Sequence, residues 1–261
     1  MRENTLRSKW KSGETTLGLW LSGTDPLTAR KLAGSGADYV CIDMQHGTAD
    51  YSTALAMLMA MEGQPAIPIV RVPWNEPGII GRMLDAGAMG VIVPMVNTVA
   101  QAQVAVAACH YPPAGSRSNG PIVAADALGP DYGTEADNEI ICIPMIETVE
   151  GVANVEAIAA VPGIAAFYVG PSDLSRSLGI PPNLEQMDER FLEAASKIIA
   201  AANANGVTPG VHSTPAMSAA RIEMGFQMVT VTSDVQAAQI YATSSISGVR
   251  AGKSGASVGG Y

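Results

Sequence analysis

Two carboxylates stand at the ends of two hydrophobic runs. Glu147 closes ICIPMIE (141–147), and Asp173 ends FYVGPSD (167–173). Each run reads as a buried parallel strand, with a helix-like stretch at 149–160 between them. A strand-helix-strand unit sets both strand ends on one edge of a sheet, so the two acids can converge. Convergent carboxylates beside a Gly-Pro turn suit a hard divalent cation, which takes oxygen ligands. Further reactive types occupy comparable places: Trp20 and Ser22, then Asp43, Gln45 and His46, Arg71, Gly170 to Asp173, His212 with Ser213, and Ser233 with Asp234.

The lysines narrow the chemistry. Lys9, Lys11, Lys31, Lys197 and Lys253 all lie away from strand ends. A Schiff-base aldolase or a pyridoxal phosphate enzyme needs a lysine in its pocket, so both are set aside. Carbonyl chemistry would then run on a metal acting as Lewis acid.

The elements that must position these residues alternate regularly. Strands are expected at 16–22, 39–44, 67–72, 90–95, 141–147, 165–171, 208–213 and 228–234. Helices are expected near 25–34, 51–62, 76–86, 98–109, 149–160, 188–205, 215–224 and 234–245. Asp25-Pro26 and Thr214-Pro215 read as helix starts. Eight strand-helix units are what a (β/α)8 TIM barrel requires, and its site lies at the C-terminal strand ends. A doubly wound open sheet is the alternative, but the glycine-rich phosphate fingerprint is missing. One barrel domain is expected over 1–250, with a disordered tail at 251–261. The longest irregular stretch, 111–133, reads as a bottom-face connection suited to an oligomer contact.

Composition bounds the partners. A net charge of −9 without a basic cluster argues against nucleic acid. No run reaches the roughly 18 apolar residues of a membrane span, and no apolar leader is seen. Cys41, Cys109 and Cys142 show no CxxC spacing and read as buried thiols of a cytoplasmic protein.

Each candidate also has a plainer reading. Glu147 and Asp173 could be first-turn helix acids, and His46 a loop histidine bonded to backbone. Arg71, a charge inside a hydrophobic strand, is either an ion-pair member or an anion clamp. Asp85, ending a helix in MLDAGAMG, reads as a surface acid, and His110 as a helix-terminus residue. His212 faces either the pocket mouth or the barrel wall.

At these residues the sequence resembles the HpcH/HpaI aldolase family of metal-dependent pyruvate aldolases. The resemblance runs through LGLWLSGTDP, VCIDMQHG, VRVPWNEPG, LDAGAMGVIVPMV, YPPAGSRSNGP, PMIETVEGVANVEAIAAVPGI, YVGPSDLSRSLG and TPGVHS. It implies a (β/α)8 barrel whose last helix is exchanged between subunits, and a homohexamer built as a trimer of dimers. It implies Glu147 and Asp173 as ligands of Mg²⁺, Mn²⁺ or Co²⁺, His46 as base, and Arg71 as the group steadying an enolate. Gly170, Pro171 and Ser172 match the turn that holds the pyruvate carboxylate. Asp85 matches an acid that reaches a neighbouring subunit's histidine, which replaces the surface reading, and the loop around Arg117 to Pro121 would likewise approach a neighbouring site. Trp20, Gln45 and His212 complete the expected substrate contacts.

Three positions depart from the family pattern. Gln45 stands where many relatives have Glu, Met145 where many have Gln, and His212 where an apolar residue is common. His212 points to a more polar or anionic aldehyde. The expected reaction is cleavage or formation of the C3–C4 bond of a 4-hydroxy-2-oxo acid, giving a 2-oxo acid and an aldehyde. The alternatives are a CoA-thioester lyase of the malyl-CoA or citryl-CoA type and a non-catalytic barrel subunit.

Overall fold

The computed structural model describes residues 1–252. Eight strands run parallel: β1 (Thr16–Leu21), β2 (Tyr39–Asp43), β3 (Ile67–Arg71), β4 (Gly90–Val93), β5 (Ile141–Pro144), β6 (Ala166–Val169), β7 (Thr208–His212) and β8 (Met228–Ser233). They form one sheet in the order β5-β4-β3-β2-β1-β8-β7-β6. Isolated parallel bridges, Cys142 to Ile164 and Met145 to Tyr168, bring its two ends together. The result is the nearly closed (β/α)8 barrel expected from the strand spacing. β2, β3, β4, β5 and β6 are buried at every position, which explains why they read as continuous apolar runs rather than as alternating ones.

The helices are α1 (Thr5–Lys11), α2 (Pro26–Ala33), α3 (Tyr51–Ala60), α4 (Pro77–Asp85), α5 (Val99–Cys109), α6 (Ile122–Leu128), α7 (Tyr132–Glu139), α8 (Val149–Ala159), α9 (Pro171–Ser177), α10 (Glu189–Ala204), α11 (Ser218–Glu223) and α12 (Asp234–Arg250). Asp25 caps α2 by accepting from Thr28 N–H, with Pro26 in the first turn. Thr214 does not cap α11. The chain first makes a turn in which Thr214 O accepts from Met217 and Ser218, and the helix begins at Ser218. The stretch 111–133 is less irregular than expected, because α6 and the start of α7 lie in it.

All three cysteines are buried free thiols. No helix among the described residues is long and apolar enough to cross a membrane. The tail expected at 251–261 falls, from residue 253 onward, outside the described residues.

Candidate active site

Register builds the first part of the site. Asp43 and Arg71 are direct partners across β2 and β3, so their side chains start side by side at the strand ends. Arg71 Nε donates to Asp43 Oδ1 at 2.8 Å and Nη2 to Oδ2 at 2.6 Å, a bidentate fork. Trp20 Nε1 adds a bond to Oδ2 at 3.1 Å, while the backbone N–H groups of Gln45 and His46 reach Oδ1 at 3.0 and 3.3 Å. Burial alone would raise the Asp43 pKa, but the hydrogen bonds and charge of Arg71 outweigh it and hold the carboxyl below its usual range. The Trp20 ring lies 4.9 Å from the guanidinium carbon of Arg71, a cation–π contact. Arg71 is thus both an ion-pair member and a group facing the cavity.

The second part has the opposite character. Glu147 is 2% exposed. Its Oε1 accepts from Met95 N–H at 2.9 Å, and Met95 sits at φ 57°, a conformation side chains disfavour. Its Oε2 is buried and has no hydrogen-bond partner. Burial, with a further push from the charge of Asp173, drives the Glu147 carboxyl up to about 7. An added Cβ at Gly170 would come within 2.5 Å of Oε2, so glycine there keeps the space beside that oxygen open. Asp173, in the first turn of α9, lines the cavity from the same side. A buried oxygen with no donor, a second carboxylate and an open cradle form a donor set that fits a hard divalent cation.

These parts meet in a cavity of about 480 Å³ at the C-terminal ends of the strands. Trp20, His46, Arg71, Gly170, Pro171, Ser172, Asp173 and His212 all line it, and Glu147 lies directly behind Gly170. Met145 also lines it, placing a thioether beside the carboxylates. His46 is exposed on the loop after β2. Pro171 has no N–H, so the donors of that turn are those of its neighbours. Two expected residues stand apart within one chain. Gln45 does not line the cavity, and its buried Oε1 lacks a partner. Asp85 pairs with Arg117 at 2.7 Å and lines a separate cavity of about 270 Å³ with it.

The central role of Asp43 was not apparent from sequence, although its place at a strand end was. A lone arginine in a neighbouring strand was the available signal, since a buried charge needs a counter-charge. Tyr168 was missed as well. It lines the cavity, stacks on Trp20 at 5.6 Å and bonds His212.

The family model described as HpcH/HpaI aldolase/citrate lyase matches residues 16–239. A hydroxypyruvate/pyruvate aldolase of Rhizorhabdus wittichii is 36% identical over 233 residues, covering 89% of this chain and 93% of the relative. A 5-keto-4-deoxy-D-glucarate aldolase of Salmonella paratyphi A is 37% identical over 237 residues, covering 90% and 92%. Among solved structures, an HpcH/HpaI aldolase/citrate lyase family protein from Burkholderia cenocepacia superposes with a TM-score of 0.88. Its identity is 32%, and the match covers 95% of this chain and 99% of that one.

Proposed function

The chain belongs to the HpcH/HpaI aldolase/citrate lyase family and is a carbon–carbon lyase of the class II aldolase type, and from that premise we propose that it cleaves and forms the C3–C4 bond of a 4-hydroxy-2-oxo acid. The products of cleavage are pyruvate, or a related 2-oxo acid, and an aldehyde. The observation that carries this reading is the unpartnered Oε2 of Glu147, which lies against Gly170 and feels the charge of Asp173, next to a cavity lined by Gly170, Asp173 and Arg71. A divalent cation such as Mg²⁺, Mn²⁺ or Co²⁺, held by Glu147 and Asp173, would supply Lewis-acid polarisation of the 2-oxo acid.

The chain's own groups then have separable tasks. Asp43 uses two N–H groups of Arg71 and fixes the plane of the guanidinium. The remaining N–H groups can meet the oxygen that becomes negative when C3–C4 breaks, a charge best stabilised by preorganised donors. His46, on the open loop at the cavity edge, takes the proton from the C4 hydroxyl in the cleavage direction. The first turn of α9 offers N–H donors to the substrate carboxylate. Among the described residues lining the cavity, Arg71 is the only lysine or arginine. That lining favours a free 2-oxo acid over a CoA thioester, whose phosphates would need more cationic partners.

The test is deuterium exchange into the methyl protons of pyruvate, with and without added metal. Metal-dependent exchange by the wild type, lost in Arg71→Ala with metal binding intact, supports the assignment. Full exchange by Arg71→Ala, or by chelated protein, sinks it.

The expected subunit exchange has support in α12. No residue of this helix is buried, and its apolar side chains include Val249, 73% exposed. Leu17, on β1, is likewise 41% exposed. A second copy of the chain supplying its α12 would cover such residues, within the proposed hexamer. Asp85 would then act on a neighbouring subunit's histidine. Ile246→Asp is expected to shift sedimentation toward smaller species, and an unchanged assembly would count against the exchange.

A further inference from the structure

Beneath the cavity a row of side chains crosses four strands. Tyr39 on β2, Gly18 on β1, Thr230 on β8 and His212 on β7 are successive register partners. Gly18 has no side chain, and an added Cβ would fall within the Tyr39 ring. The tyrosine therefore lies across β1 and reaches Thr230 on the far side. Its hydroxyl meets Thr230 Oγ1 at 2.9 Å, Thr230 Oγ1 meets the Tyr168 hydroxyl at 2.6 Å, and that hydroxyl meets His212 Nδ1 at 3.2 Å.

The direction of this chain follows from counting protons. Tyr39 is fully buried, and Thr230 is the one partner its hydroxyl has among the described residues. If His212 Nδ1 donated, the row would hold more donors than bonds, and one of its three hydroxyls would be left without an acceptor in the row. If Tyr39 donates instead, Thr230 donates to Tyr168, Tyr168 donates to Nδ1, and every donor is satisfied. The imidazole proton then sits on Nε2. Burial, with Arg71 nearby, lowers the His212 pKa to about 4, so the ring is neutral near pH 7. Trp20 meets it edge-on at 4.9 Å and restricts its rotation.

We propose that His212 is a specificity residue whose fixed Nε2–H donates to an uncharged hydroxyl oxygen of the substrate. This deepens the aldolase reading and rests on it. Ser22, Ser233, Gln236 and Gln239 line the same cavity together with Val235 and Leu184, and apart from Arg71, already held by Asp43, no lysine or arginine among the described residues lines it. Asp234 lies just behind, its carboxylate accepting from Ser22 and Gly23 N–H. That setting favours a hydroxyl over a second carboxylate, which narrows the polar-or-anionic expectation to the polar option. The hydroxyl is carried either on C3 of the 2-oxo acid or on the aldehyde.

The experiment combines imidazole ¹⁵N NMR with a substrate panel. The chain has three histidines, so assignment by single substitution is practical. The wild type is expected to show the Nε2–H tautomer at His212. Its signal should shift with hydroxypyruvate or glycolaldehyde but not with pyruvate or acetaldehyde, and whichever hydroxylated ligand acts identifies the source. Tyr168→Phe, which removes the donor to Nδ1, should mix the tautomers. His212→Leu should lower the kcat/KM preference for the hydroxylated member of a pair by about tenfold or more. An Nδ1–H tautomer, no ligand-specific shift, or a preference unchanged in His212→Leu overturns the proposal. Absence of any carbon–carbon cleavage by the wild type would instead sink the aldolase reading, because the NMR result does not depend on turnover.

Discussion

Asp43 and Glu147 are two buried carboxylates at the strand ends of one barrel, and they are solvated in opposite ways. Asp43 accepts from Arg71, Trp20 and two backbone N–H groups, and its pKa is held down. Glu147 accepts one backbone N–H, leaves the other oxygen bare, and is pushed up to about 7. Asp43 has its positive partner within the chain and serves to orient it. Glu147 feels the charge of Arg71 only at a distance and has no hydrogen-bonded cation, and the proposed metal ion would take that place. The same carboxylate group is therefore held by the chain's own donors at the Asp43 pole and left open at the Glu147 pole, where the proposed cation would sit.

The comparison is broken most strongly by removing the ligand pole. Glu147→Gln is expected to lower metal-dependent turnover by on the order of 10³-fold, since Lewis-acid stabilisation is worth several kcal/mol. Steady-state kinetics across a metal series checks this. Next comes stability. Asp43→Asn strands the Arg71 cation in a buried site and should cost about 3–5 kcal/mol. Glu147→Gln in metal-free protein removes a poorly solvated charge and should cost less than about 1 kcal/mol, or stabilise. Urea unfolding of the two variants side by side makes the test, and equal losses would erase the distinction drawn between the carboxylates.

A third prediction uses His212. Its folded pKa, about 4, lies below the ordinary 6.5, so the unfolded chain binds more protons between those values. The contribution of His212 to stability is therefore full above about 6.5 and falls as pH drops toward 4, by roughly 3 kcal/mol. It is read in a Glu147→Gln background, because the raised pKa of Glu147 acts with the opposite sign over the same range. His212→Leu should flatten that part of the pH–stability curve. The smallest effect concerns Gly170→Ala, whose methyl would crowd Glu147 Oε2. It should weaken metal affinity by about tenfold while leaving Asp43 and Arg71 in place.

Much of this architecture was legible in the sequence, for a physical reason. The strands β2 to β6, buried at every position, appear as short apolar runs, and the mostly buried β1, β7 and β8 read similarly. All eight were therefore found, and a TIM barrel then puts their C-terminal ends together. Helices α1, α6, α7 and α9 were not anticipated. The seven residues of α9 begin within the Gly-Pro turn that looked like a loop. α6 and α7 are short and surrounded by Pro and Gly, which hide a helical period. Contacts set by strand register were also out of reach. Asp43 opposite Arg71, and the row from Tyr39 to His212, join residues far apart in sequence. Single strands do not carry that information. Gln45 shows another limit, since its place after a strand made it a candidate and yet it does not line the cavity.

The most direct test is calorimetric titration of Mn²⁺ into metal-free wild-type protein and the Glu147→Gln, Asp173→Asn double variant. One ion per chain should bind the wild type, and the double variant should show no saturable binding while keeping its fold. Binding of equal affinity in both proteins would contradict the assignment of Glu147 and Asp173 as the metal pole.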